Sequence, residues 1–215
     1  MSISVFERQF RDPIRTIAGF FTSLKWAWQR ATKGYCQRDL WGVSEWFLGV
    51  FPDMLETMKK ERVGFPTVIQ QQGWELLGMS SFEEYLAAPE EIKEQVDDYA
   101  EKKWDEILTE LAFLLREANE ETCTKANPYE QEHHLAWQEF REKYGEYGEK
   151  LMTDEDKKRE EETGSKRWFS PSDVPEYQEI CNRYMQENRK IQEYRMECKD
   201  KAFQLFSEYF YDFWI

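Results

Sequence analysis

The chain has 215 residues, 33% of them charged, and a net charge of −14, yet it also carries nine Trp, 11 Tyr and 15 Phe. That length fits one domain, or one domain with an attached helical hairpin, and rings that bury on the order of 150–250 Å² each supply a substantial core. The charge is uneven: residues 1–50 hold seven Lys/Arg and four acids, net +3, which leaves −17 on residues 51–215, a field that repels DNA, RNA and anionic membrane and attracts basic protein surfaces.

No Val/Ile/Thr-rich alternating run bounded by turn signals occurs, so strands have little support. The first helical pattern runs from Ile14 to about Lys33 and stops at Gly34, as a helix C-terminus does. Its most apolar stretch, Ile14 to Trp28, is interrupted by Arg15 and Lys25 and is too short to span a membrane. Packing on the rest of the fold is the expectation for it, and lying on a membrane surface is the alternative. A second helix is predicted from Arg38 to Lys60, with Leu40, Trp41, Phe47, Leu48, Phe51, Leu55 and Met58 on one broad face and a kink or break at Pro52. Gly64-Phe65-Pro66 and Gly73 mark a turn region. Ser80-Ser81-Phe82-Glu83 has capping-box form and opens a short helix to Ala88.

Pro89 suits the first position of a long helix, in which Ile92, Val96, Tyr99, Lys103/Trp104, Ile107, Leu111, Leu114 and Ala118 recur every three or four residues. Asn127-Pro128 interrupts, and His133, Trp137, Phe140, Tyr144, Tyr147 and Leu151 form the next stripe. Residues 153–172, rich in charge and holding Gly164-Ser165, read as a flexible loop. The last helix starts near Ser172 or Pro175 and carries Tyr177, Ile180, Tyr184, Ile191, Tyr194, Cys198, Ala202, Leu205, Tyr209 and Phe213. At roughly 50–60 Å it exceeds the width of a compact domain, so it protrudes with a partner helix or pairs in a homodimer. The predicted fold is an all-α helical bundle whose one or two long helices form a protruding antiparallel arm. Residues 1–118 make a helical body, and 119–215 a long hairpin whose C-terminal end packs back on the body.

Cys36, Cys123, Cys181 and Cys198 are too scattered for a zinc knuckle or a compact disulfide framework, and reduced thiols are expected. The N-terminus lacks the basic and apolar regions of a secretory signal, which favours a cytoplasmic setting. P-loop, G-x-G-x-x-G, H-E-x-x-H and G-x-S-x-G patterns are absent. Glu130-Gln-Glu132-His133 gives one Glu-x-x-His, where a di-iron bundle needs two. His133 therefore reads as a half-buried stripe residue and Cys36 as a small buried side chain. No cofactor, no metal and no catalytic set are expected.

Two surface features invite a partner. Around the Gly34 turn, Arg30, Lys33 and Arg38 interleave with Trp28, Tyr35 and Trp41. Those six residues could cradle a phosphate and stack a base. Alternatively they form a helix–turn–helix corner with Gly34 left-handed, Asp39 capping the next helix or pairing with Arg30 or Arg38, and the tryptophans in the core. The acidic clusters Glu90-Glu91, Asp97-Asp98, Glu120-Glu121 and Glu160–Glu162, together with the terminal aromatics Tyr211 and Trp214, are candidate protein contacts or simply solvated faces.

The block from Trp28 to Trp41, the block from Leu205 to Trp214, Gly64-Phe65-Pro66 and Trp104-Asp105-Glu106-Ile107-Leu108 resemble a family of small acidic proteins of tailed phages and prophages of gut bacteria. The likeness covers about half of the chain, with residues 1–25 and the charged stretch from Asn119 to Pro175 standing outside it. The resemblance implies an origin and a host-cell cytoplasmic setting more than a mechanism. The expected function is an accessory binding protein acting on a host protein with a basic surface, through carboxylate-lined helices that imitate a phosphate backbone. A sponge for a nucleotide signal at the Arg30/Lys33/Arg38 corner and a virion or assembly component are the alternatives. Neither direct nucleic-acid binding nor a membrane partner is expected.

Overall fold

The structure, a computed structural model, describes residues 13–213. Residues 1–12, the first part of the basic N-terminal segment, and Trp214 lie outside the described residues. Those residues form eight α-helices and four short 3₁₀ turns with no strand: α1 (Pro13–Lys33), α2 (Val43–Glu61), α3 (Thr67–Leu76), α4 (Phe82–Ala87), α5 (Glu90–Ala118), α6 (Glu130–Tyr144), α7 (Asp154–Thr163) and α8 (Pro175–Glu208). The all-α bundle expected from periodicity is the fold.

The body is built on α5, which lies between α2 and the C-terminal half of α8. Val96, Ala100, Trp104, Ile107, Leu108, Leu111, Ala112 and Leu115 of α5 are all buried, at the three-and-four spacing that keeps them on the inner faces of the helix. Both neighbours run antiparallel to it. Asp53 and Lys59 of α2 meet Arg116 and Thr109 respectively, and Tyr194 and Tyr209 meet Glu117 and Trp104. The C-terminal aromatics close the end of this core. Phe213 sits 5.6 Å from Trp104 and 5.2 Å from Phe206, and Phe206 is 5.2 Å from Phe51, all centroid to centroid. Offset and edge-on ring pairs of this kind add about 0.5–1.5 kcal/mol each beyond the area they bury.

The 34 residues of α8 extend ~51 Å, beyond the reach of α5, and a second core fills the difference. Ala136 and Phe140 of α6 pack on Tyr177, Ile180 and Cys181 of α8, while Lys143 bridges Glu176 at 2.8 Å and Arg183 bridges Glu132 at 3.2 Å. The α6–α8 pair is the antiparallel arm. Gly148, at φ +71°, lies against its far end, where an added Cβ would meet the Phe169 Cβ at 2.6 Å and the Phe140 ring at 3.0 Å.

Four expectations are corrected. The helix predicted from Arg38 begins at Val43, because Asp39–Trp41 form a 3₁₀ turn. Leu40 and Trp41 consequently leave the predicted stripe and are exposed, Trp41 at 92%. Pro52 does not break α2, which continues to Glu61 with Pro52 buried. The missing hydrogen bond costs about 3 kcal/mol, and burial of Phe51, Leu55 and Met58 against the body offsets it at roughly 1.5–3 kcal/mol per large side chain. Residues 154–163 of the expected loop are helical. Thr153 and Asp156 form a reciprocal capping box, three acids occupy the first turn, and Gly164 at φ +67° ends the helix; each device stabilises a helix terminus. Finally, α1 does not bury its apolar side on the body: Phe20, Phe21, Leu24 and Trp28 are exposed.

Candidate functional site

The side of α5 turned away from the core carries the most distinctive chemistry. Glu91, Glu94, Asp98, Glu101 and Asp105 recur at intervals of three and four, so they share one face over ~21 Å of helix. Glu91, Glu94, Asp98 and Glu101 are exposed and form no salt bridge among the described residues. Asp105 is held by Arg62 at 2.6 Å, with Lys59 at 4.0 Å. Below this row, Asp98, Glu101, Lys102, Asp105, Glu106 and Phe113 line an open groove of about 810 Å³. It runs on, through Lys59, Thr109 and Phe113, into a second depression of about 530 Å³ between α2 and α5. Phe113 is 52% exposed, an apolar anchor at the end of a carboxylate row.

The other predicted acidic positions separate. Glu90 reaches toward Lys93 at 3.6 Å. Asp97 faces inward, accepting from the Gln70 amide at 2.8 Å and the Tyr85 hydroxyl at 3.2 Å. Glu120 and Glu121 stand beyond the far end of α5, where Glu120 approaches Arg195 at 3.5 Å, and they cannot share a small ligand with Glu91. Among Glu160–Glu162, Glu160 pairs with Lys166 at 3.7 Å. Tyr211 is almost fully exposed.

No family model, curated protein or solved structure matches this chain. The functional reading therefore rests on geometry.

At the Gly34 corner the joint predicted from sequence is formed. Gly34 has φ +78°. The Arg30 guanidinium forks onto both carboxylate oxygens of Asp39, at 3.1 and 2.5 Å, and Asp39 also accepts the Cys36 backbone N–H at 2.7 Å. These bonds, the Arg30 contact foremost, hold the Asp39 carboxyl far below the usual carboxylate range despite its burial. Arg38 lies over the Trp26 ring at 5.6 Å. Lys33, Tyr35, Trp28 and Trp41 are exposed, so the tryptophans leave the core that the joint was expected to give them. Cys36 is buried, as a small packing residue is.

Sequence reasoning missed Glu117. It is 1% exposed and sits where α5 ends and the chain turns toward the arm. Its carboxylate accepts from the Thr124 backbone N–H at 3.1 Å, the Thr124 hydroxyl at 2.9 Å, the Tyr194 hydroxyl at 2.9 Å and, more weakly, the Cys123 thiol at 3.8 Å. Burial works to raise its pKa, and the bonds from Thr124, Tyr194 and Cys123 overcome it and bring the value below 4.5. Glu117 shares the outward spacing of its acidic neighbours, and only its place as the penultimate residue of the helix hints at burial. His133, half-buried, stacks on Tyr184 with centroids 3.8 Å apart and planes at 6°. No group of three or more His, Cys, Asp or Glu side chains is placed to hold a metal ion among the described residues. No described helix is long and apolar enough to cross a membrane.

Proposed function

We propose that the protein is a phage-encoded accessory binding protein that uses the outer face of α5 to occupy a cationic surface on a host protein. Such surfaces are built for nucleic acid, and the occupant acts as a competitive, phosphate-imitating inhibitor. The observation that carries this reading is the row of exposed carboxylates Glu91, Glu94, Asp98 and Glu101, without an ion-pair partner among the described residues, beside the Phe113 groove. A row of like charges on a rigid helix keeps a high local potential and pre-orients it, which favours fast, salt-sensitive association with a basic partner. The exposed ring supplies the apolar anchor that a purely ionic contact lacks. The phage origin rests on the resemblance of the Trp28–Trp41 and Leu205–Trp214 blocks. The corner gives a nucleotide sponge less support, since Arg30 is committed to Asp39.

The test is capture of host proteins by the wild type and by the quadruple variant Glu91→Lys/Glu94→Lys/Asp98→Lys/Glu101→Lys. Nucleic-acid-binding proteins should be retained by the wild type at 50 mM salt and lost at 300 mM, where the Debye length has shrunk below about 8 Å. The variant should retain none of them. A captured partner indifferent to both salt and the variant refutes the electrostatic mechanism.

A further inference from the structure

The apolar stripe of α1 is the largest unexplained feature of the described chain. At 100° per residue, Phe20, Phe21, Leu24, Ala27, Trp28 and Ala31 fall within a sector of about 120°, and the four large side chains among them are 50–66% exposed. The 21 residues of α1 contain Arg15, Lys25, Arg30 and Lys33 and no acid. The ties between α1 and the corner come from its polar side: Arg30 to Asp39, the Gln29 amide oxygen accepting the Gln37 backbone N–H at 3.0 Å, and Trp26 beneath Arg38. The joint thus fixes the helix by the side opposite the stripe and turns the stripe outward.

We propose that α1 is a membrane-surface helix that lies on a bilayer bearing anionic headgroups, with Phe20, Phe21, Leu24 and Trp28 at the boundary between headgroups and acyl chains. The pattern meets the requirements of that environment together: a ring-rich apolar face, a cationic polar face and too little total hydropathy to span. A protein groove that took the stripe would leave Lys25 and Lys33 in water. Pairing with the same helix of a second copy through this stripe would bring the marginal Lys25 of each copy to one seam, with no acid on α1 to pair with it. A lipid interface accepts both features, because the stem of Lys25, at the margin of the stripe, runs along the apolar boundary while its ammonium group reaches phosphate, and Lys33 adds positive potential from the water-facing side.

The −17 carried by residues 51–215 does not forbid this contact. At physiological salt, charge more than about 8 Å from the surface is largely screened. The same asymmetry orients the molecule, with α1 on the lipid and the bulk of the acidic charge directed away from it.

The test is flotation of the full chain with vesicles of phosphatidylcholine alone and of phosphatidylcholine with 30% phosphatidylglycerol. Each cation brought to an anionic surface strengthens binding about fivefold, so the wild type should prefer the anionic vesicles by at least ~tenfold. Lys25→Glu/Lys33→Glu should erase that preference, and Phe21→Glu/Leu24→Glu should lower binding at least ~tenfold on both compositions. All four substituted side chains are exposed, and unchanged thermal unfolding of the variants shows that the fold survives. A wild type that stays unbound on both compositions overturns the proposal, as do stripe variants that float equally well. So does a light-scattering dimer that Phe21→Glu/Leu24→Glu dissociates while vesicles are ignored, which would make a second copy the occupant. None of these readouts involves the host protein bound by α5, so the two proposals stand or fall separately.

Discussion

Removing Glu117 tests whether the junction between body and arm is held by a buried anion. Glu117→Ala strands the Tyr194 hydroxyl and the Thr124 backbone N–H, which the carboxylate engages at 2.9 and 3.1 Å. A buried donor left without a partner costs about 1–3 kcal/mol. Thr124 is exposed, so water replaces part of its loss, and the total should fall near 3 kcal/mol, or a drop of about 6–12 °C in Tm for a chain of this size. Glu117→Gln keeps one acceptor oxygen and places an NH₂ where two hydroxyls donate. Those hydroxyls can turn to accept, and the cost should be about 1–2 kcal/mol. Urea unfolding followed by far-UV circular dichroism gives both values, and hydrogen exchange should show the largest loss of protection in residues 118–128. The pH dependence follows from the same site. The folded carboxyl titrates below its ordinary 4.5, so its contribution is complete above that value and disappears as pH falls through the lowered folded one. Glu117→Gln should flatten this acid limb. An alanine variant within 0.5 kcal/mol of wild type would refute the assignment of Glu117 as a node.

The other expectations are separate in space and chemistry. Gly148→Ala combines a left-handed φ with a Cβ 2.6 Å from Phe169, and overpacking should destabilise the arm by about 1–3 kcal/mol, seen as an early loss of α6–α8 protection in hydrogen exchange while α5 stays protected. His133 is held below its usual 6.5, first by burial and further by His134, with Glu130 acting in the opposite direction. The folded state therefore resists protonation, so arm stability is complete above about 6.5 and declines as pH falls from there toward the folded value. His133→Phe should keep the stack on Tyr184 and abolish that slope in thermal melts. Asp39→Asn loses the charged fork to Arg30 and should speed tryptic cleavage at Lys33 and Arg38 by about tenfold, the population change that ~1.4 kcal/mol of local opening produces.

Where one periodicity governed a segment, the sequence was legible. The inward stripes of α5 and α8 were read nearly residue for residue, because a long helix buried against two neighbours must place its large side chains three and four apart. Helix ends were less legible. Pro89 and Ser81 fall within a residue of the predicted starts, whereas α2 begins five residues late because Asp39 binds backward to Arg30 and Cys36 instead of forward to a helix N-terminus. Residues 154–163 looked disordered because composition alone weighs charge and ignores that Thr153 and Asp156 can satisfy each other. For the candidate site, Glu91 and Asp98 were identified, but grouping acids as adjacent pairs obscured the geometry. Neighbours in sequence diverge by 100° on a helix, so Asp97 turned inward to Gln70 while Asp98 joined Glu94 and Glu101 outside. Burial of Glu117 depends on Thr124 and Tyr194 converging from a loop and from a helix 77 residues away, a tertiary fact that no local pattern encodes.

The division of charge and exposed apolar surface follows from how the chain is anchored. On α5 most rings and aliphatic groups point inward, against α2, α8 and, around Val96, the Trp74 and Tyr85 rings of α3 and α4, and the outer face is left with carboxylates and the one exposed ring of Phe113. On α1 the arrangement is reversed. The joint with Asp39, Gln37 and Arg38 engages Arg30, Gln29 and Trp26, so the side that would ordinarily face water is tethered and the apolar stripe is left outside. Had the same helix been joined through Phe21 and Leu24, its cations would have faced solvent near the acidic body and the molecule would show one continuous polar surface. Instead it presents two faces of different character, an acidic one fixed by packing and a ring-rich one, on a helix without acids, fixed by a single polar corner. Asp39 therefore controls more than local stability: with Asp39→Asn the orientation of the stripe should relax, and vesicle binding should fall even though no residue touching lipid has changed.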